Sequence, residues 1–253
     1  MAETGTNDGE VPTGRLPVIL FPTCLGDLLA PRTVADARRV LEACACDVSS
    51  AKGTTCCGQP GFNSGFDAAA RRVARPTVRA LARTTGPVVV PSGSCGAMMR
   101  VHWRELFHGD RDEQLARGVA ARVVEWSELV AAQPLPAFAW QGRVAYHDSC
   151  HALRELRVKE APRKLLQAVQ GLEFIDLASS DRCCGFGGTF AVRYPDVSVA
   201  MADSKLADVA RAEVDALVSG DGGCLLHLGG RLSRTGSQVR TIHLASLLAE
   251  ALP

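Results

Sequence analysis

A chain of 253 residues is long enough to bury one large core or two smaller ones. With 28 Lys and Arg against 27 Asp and Glu, the net charge of +1 offers no general attraction to nucleic acid or to an anionic membrane, and no nucleic-acid partner is expected. No apolar run approaches the ~18 residues of a spanning helix, and the start, MAETGTNDGEVPTG, has no basic region followed by an apolar core. The expectation is therefore a cytoplasmic protein without a membrane span, with residues 1–15 as a flexible leader. Ten cysteines in that compartment point to metal or redox chemistry rather than to disulfides.

In chain order, PVILFPTC (17–24) reads as a buried strand running into Cys24. Residues 31–44 place Val34, Ala37, Leu41 and Cys44 at helical spacing behind Pro31. TTCCGQPG (54–61) follows, then a helical stretch over 66–83 with a kink expected at Pro76, then the apolar run PVVVP (87–91) leading to Cys95. QPLPAFAWQG (133–142) carries two prolines and reads as a linker. RVAYHDSC (143–150) then begins the pattern again. A helix is expected from Pro162 with Leu165, Leu166 and Val169 inside and Gly171 just past its end. After DRCCGFGG (181–188), residues 196–213 show Val199, Ala202, Leu206 and Val209 on one helical face, and VDALVSG (214–220) leads to Cys224. Strands alternating with helices predict an α/β fold of two tandem parallel-sheet units, residues 16–135 and 136–253. The cysteine loops should lie at the carboxyl ends of the strands, where such sheets bind ligands.

The cysteines carry the repeat. Cys24 precedes Cys56 by 32 positions and Cys150 precedes Cys183 by 33, while Cys57 to Cys95 spans 38 and Cys184 to Cys224 spans 40. The two sets are offset by 126, 127, 127 and 129 positions, so one unit is written twice. Within each CC pair a disulfide would be strained, because adjacent Cα atoms lie only ~3.8 Å apart and bridged pairs usually span ~4.4–6.8 Å. The two thiols of a pair are better suited to a shared third object. Four thiolates per half suit an iron–sulfur centre, with the glycine after each pair letting backbone approach it closely. A four-cysteine zinc site is the rival, although the usual short Cys-x-x-Cys knuckles are missing. Buried inert thiols are a third reading, which a fourfold match disfavours. Cys44 and Cys46 have no counterparts in the second half and read as core.

FPTCLGDLL, CCGQPGFNSG, PSGSCGAM, HDSCHALREL, CCGFGGTFAVRYPDVSVAM and CLLHLGGRL resemble the CCG-type cysteine-rich iron–sulfur family, and most closely its lactate-utilization branch. The match covers residues 16 to 248. The wider family includes the cysteine-rich subunit of heterodisulfide reductase and the iron–sulfur subunits of glycolate oxidase and anaerobic glycerol-3-phosphate dehydrogenase. The resemblance implies an electron-carrying subunit of a complex that oxidises L-lactate to pyruvate without a nicotinamide. Its implied partners are a ferredoxin-like iron–sulfur subunit, a third small subunit and a small 2-hydroxy acid substrate. It also implies Cys24, Cys56, Cys57 and Cys95, then Cys150, Cys183, Cys184 and Cys224, as ligands of one 4Fe-4S cluster per half, each open to loss in air.

One departure from the fullest family pattern bears on chemistry. The heterodisulfide reductase relative has a fifth cysteine three positions after the last one, and here Met98 and His227 stand there. A non-cubane cluster and direct disulfide reduction are correspondingly disfavoured, leaving a heterodisulfide-type thiol function and a glycolate oxidase-type function as alternatives. His227 is a candidate for replacing a thiolate, as in Rieske centres, or for donating a hydrogen bond to a sulfur; packing within its loop is the plainer reading. His147 and His151 flank Cys150, where a general base would be useful, although His147 at a strand end equally suits a hydrogen-bonded structural role. His102, His108 and His243 carry no assigned role. Neither a GxGxxG nor a GxxxxGK[ST] motif is present, so neither nicotinamide nor ATP is indicated.

Overall fold

The computed structural model describes residues 14–253, so the expected leader lies outside the described residues except for Gly14 and Arg15. Among the described residues eight strands form two separate sheets. The first contains β1 (Leu16–Leu20), β2 (Cys46–Ser49), β3 (Val88–Val90) and β4 (Val123–Glu125) in the order β2-β1-β3-β4. The second contains β5 (Phe138–Tyr146), β6 (Val169–Ile175), β7 (Ala216–Ser219) and β8 (Arg240–His243) in the order β6-β5-β7-β8. All pairs are parallel, and the identical order shows the repeat as geometry. The fold is α/β, with two tandem parallel-sheet units. No helix among the described residues is long and apolar enough to cross a membrane.

Strands buried on both faces explain the unbroken apolar runs at 88–90 and 216–218. One face of each sheet contributes to a shared core: Val18, Leu20, Val48 and Val89 from the first, Val144, Tyr146, Ala216 and Val218 from the second. The helices filling this core interlock reciprocally. Pro31–Ala43 packs on Leu244–Glu250, near the chain's end, and Trp126–Ala131 packs on Glu160–Gln167. Cys44 and Cys46 are fully buried in this core, as expected. The opposite faces carry Ile19, Phe21, Val88 and Val90 on one side and Ala145 and Leu217 on the other.

Three local expectations change. Gly171 lies inside β6 rather than past a helix end, because the helix stops at Gln167 and the chain turns at once into a strand. There, at φ +83°, Gly171 stands opposite the irregularity between Ala139 and Gly142 of β5. The stretch read as a linker is shorter than 133–142, since Phe138–Gln141 already pair or bulge within β5. On helix Pro195–Arg211, Val199 is exposed and the inward face is built by Ser198, Ala202, Lys205, Leu206 and Val209. The expected Pro76 does lie inside helix Asp67–Leu81, where it removes one backbone donor.

Between the sheets sits an acid that makes stability depend on pH. Glu125 caps Trp126–Ala131, accepting from the Ser127 and Glu128 amides, and burial raises its carboxyl from an ordinary 4.5 to about 7. Between those values the folded state holds the proton more tightly than the unfolded chain, so stability falls as pH rises through that window. Glu125→Gln keeps an acceptor for the cap and should flatten the decline, a gain on the order of 3 kcal/mol above pH 7. Urea unfolding of both forms from pH 4.5 to 8 checks this, and parallel profiles would contradict it.

Candidate metal centre

Each thiol set is assembled from three loops at the carboxyl ends of the strands. Cys24 and Cys150 lie a few residues beyond the central strands β1 and β5, at the first turns of short helical segments. Cys95 and Cys224 lie in helices that start just beyond β3 and β7. Those helices are capped at matching positions: Ser92 Oγ accepts from the Cys95 amide, and Asp221 Oδ1 accepts from the Gly223 and Cys224 amides. Asp221 also joins the halves, its Oδ2 accepting from the Ser94 amide at 2.8 Å.

The CCG turns bring the paired cysteines in from the side. Gly58 and Gly185 have φ of +93° and +88°, and a Cβ there would stand 2.8 Å from the Ala70 carbonyl oxygen and 2.6 Å from that of Ser198. The close approach that demands glycine is thus to the backbone of helix Asp67–Leu81 in the first half and of helix Pro195–Arg211 in the second. Trp103 Nε1 donates to the Cys57 carbonyl at 2.8 Å and Thr77 Oγ1 to that of Cys56 at 3.1 Å, while Ser198 Oγ donates to the Gly185 carbonyl at 2.8 Å.

The sulfurs then meet. Cys24 and Cys56 Sγ are 3.7 Å apart, Cys57 and Cys95 3.2 Å, and Cys184 and Cys224 3.1 Å, with all ten cysteines as free thiols. In each set one thiol is pulled below its ordinary range by its neighbours' S–H groups, Cys56 chiefly by Cys24 and Cys183 chiefly by Cys150. The partner thiols Cys57 and Cys184 are pushed up, first by those same shared protons and then by burial. Four thiolates in so small a space need a cation among them, and an all-sulfur donor set, half of it buried and half partly exposed, fits iron–sulfur or another thiophilic metal. A cleft of about 450 Å³ between the halves is lined by every one of the eight cysteines except Cys56, together with His151, Phe186, Asp221 and His243.

The histidines sort differently from their sequence neighbourhoods. His227 Nε2 lies 3.1 Å from Ser198 Oγ, outside the cleft lining, and Met98 is packed in the core with Phe21 and Trp103. His151 Nδ1 meets Glu155 Oε1 at 2.8 Å, and Glu155 Oε2 meets His102 Nε2 at 2.7 Å, so this trio ties two π-helical turns, Met98–His102 and Ala152–Leu156, across the halves. His147 is fully buried, neither ring nitrogen has a hydrogen-bond partner among the described residues, and a ring nitrogen and the sulfurs of Cys184 and Cys224 lie within 4.8 Å of one another. Burial, ahead of the Lys205 charge, pushes its imidazole down to about 4.

A duplicated CCG turn, presenting two thiols from one helix approach and two from strand ends, is decisive when set beside known sequences. Residues 18–100 and 144–229 each match the CCG cysteine-rich domain. The chain belongs to the CCG cysteine-rich domain family. Among curated relatives, lactate utilization protein A of Geobacillus kaustophilus is 40% identical over 236 residues, covering 91% of this chain and 98% of the relative. Lactate utilization protein A of Oceanobacillus iheyensis is 38% identical, covering 91% and 96%. Lactate utilization protein A 1 of Bacillus anthracis is 36% identical, covering 93% and 98%. A crystal structure of a hypothetical protein from Helicobacter pylori shares the fold with a TM-score of 0.59 at 12% identity, covering 93% of this chain and 49% of that one.

Sequence reading missed Asp221 and Lys205. Asp221 had a signal, an acceptor residue just before a glycine pair and a cysteine, which is how a helix cap looks. Lys205 had a weaker one: a charge three positions after Ala202, on the buried side of an amphipathic helix.

Proposed function

We propose that this chain is the iron–sulfur electron-transfer subunit of a cytoplasmic complex that oxidises L-lactate to pyruvate. The domain of residues 16–135 would hold one 4Fe-4S cluster on Cys24, Cys56, Cys57 and Cys95. The domain of residues 136–253 would hold another on Cys150, Cys183, Cys184 and Cys224. The observation that carries this is the opening of both thiol sets onto one cleft, a layout suited to passing electrons within a single chain. The curated relatives named for lactate utilization support the choice of pathway.

When bound, such a cluster accepts and releases one electron at a time. The chain's own residues supply the thiolates, fix them on capped helices and glycine turns, and shape access. Around the cleft, Leu25, Leu29 and Leu226 are exposed, and Leu28 beside them is 79% exposed. An apolar rim of this kind suits docking of a ferredoxin-like subunit and a third small subunit. Met98 buried in the core and His227 bonded to Ser198 leave no fifth sulfur ligand, which favours electron relay over disulfide reduction.

The test combines this chain, reconstituted without oxygen, with the two partner subunits and L-lactate. Bleaching of the iron–sulfur absorbance by lactate, with pyruvate formed, is the expected outcome. Bleaching by glycolate alone would reassign the donor, and zinc without sulfide in the anaerobic protein would overturn the redox reading.

A further inference from the structure

We propose that His147 donates a ring N–H to the sulfurs of the second-half centre, at Cys184 or Cys224, and so holds that centre at a higher reduction potential than the first-half centre. This rests on the iron–sulfur reading above.

A fully buried imidazole whose two nitrogens find no partner among the described residues is costly to keep. Sulfur is at hand: a ring nitrogen lies within 4.8 Å of the sulfurs of Cys184 and Cys224. Either neutral tautomer carries an N–H to give, and four cysteines already complete the ligand set without it. Such a bond stabilises the extra negative charge of the reduced cluster, which raises its potential.

The first half places no such donor at the matching position. At the offset of 126 that relates Cys24 to Cys150, His147 corresponds to Phe21, which is buried with Cys57 and Cys95. A second difference points the same way. Gly58 packs on Ala70 and Gly185 on Ser198, so the helices that follow match at an offset of 128, and Lys205 corresponds to Thr77. Lys205 is buried, its Nζ donates to the Ser179 and Ser180 carbonyls, and its charge reaches His147 and Cys224. A buried cation also favours the more negative, reduced state. The repeat therefore places an apolar ring and a hydroxyl in one half where the other has an imidazole and an ammonium.

A redox titration of the full chain, loaded with iron and sulfide without oxygen and followed by visible absorbance and electron paramagnetic resonance, decides the matter. Two reduction steps are expected, the upper one lost when Cys183 and Cys184 are both replaced by serine. His147→Phe should retain iron and sulfide while its upper step moves down toward the lower. Phe21→His, which adds a donor and does not depend on the first variant folding, should move the lower step up. A single step in the unaltered chain, or midpoints unmoved in both variants with iron retained, overturns the proposal. Loss of second-half iron from a folded His147→Phe chain would make His147 a ligand and likewise overturn the donor role. An unaltered chain that binds no iron would instead overturn the reading on which this one rests.

Discussion

Replacing Cys183 and Cys184 together by serine should remove half of the iron and half of the acid-labile sulfide from the anaerobically prepared protein, and replacing Cys56 and Cys57 should remove the other half. The unaltered chain should carry about eight of each, two cubanes' worth. The halves should lose metal independently, since the Cys57–Cys95 and Cys184–Cys224 contacts lie within separate sets, at the ends of separate sheets. Serine is close in size to cysteine, and only Cys57 and Cys184 of these four are buried, so the fold should survive the exchange. Iron, sulfide and far-ultraviolet circular dichroism measured on the same samples check the result. Loss of all metal from either double variant would mean one shared centre rather than two.

Arg163→Met should destabilise the protein by about 3–5 kcal/mol. Arg163 grips Asp148 with two bonds, Nη1 to Oδ1 at 2.9 Å and Nη2 to Oδ2 at 2.8 Å, and also reaches Asp176 at 3.0 Å. The Asp148 side chain is 1% exposed, so losing Arg163 leaves a carboxylate stranded out of water. Asp148 stands between His147 and Ser149 on the turn that delivers Cys150. The damage should therefore include slower recovery of second-half iron on reconstitution. Removing both charges, as Asp148→Ala with Arg163→Met, should recover much of the stability, because the main cost of the single change is the unpaired charge. Urea midpoints at constant slope measure both effects. A single variant within 1 kcal/mol of the parent would show that water reaches Asp148.

The duplication and the α/β class were legible in the sequence because spacing survives translation into structure. Offsets of 126 to 129 between matched cysteines fit loops that each depart from an equivalent strand, as the two sheets do. Helix and strand periodicity placed Ala37, Leu41, Leu165, Leu206 and Val209 inward, where they lie. What failed was local and had local causes. Gly171 looks like a helix terminator because glycine ends helices often, yet here, at positive φ, it stands in β6 opposite the bulge in β5. Lys205 gives little sign of its role because a lysine on a buried face is rare, and the two carbonyls that satisfy it come from a loop 26 and 25 residues earlier in the chain.

Sequence alone determined that there are two copies of a four-cysteine unit, which family they belong to, and which eight thiols could serve as ligands, since residue identity and spacing carry that information. Only the tertiary structure decided which histidine faces sulfur. His147 and His227 are each three residues from a cysteine, but a strand end turns one into the sealed space beside Cys184 and Cys224, while a helical turn carries the other onto Ser198. That choice depends on the direction of a side chain within a packed interior, and separation along the chain holds no record of it.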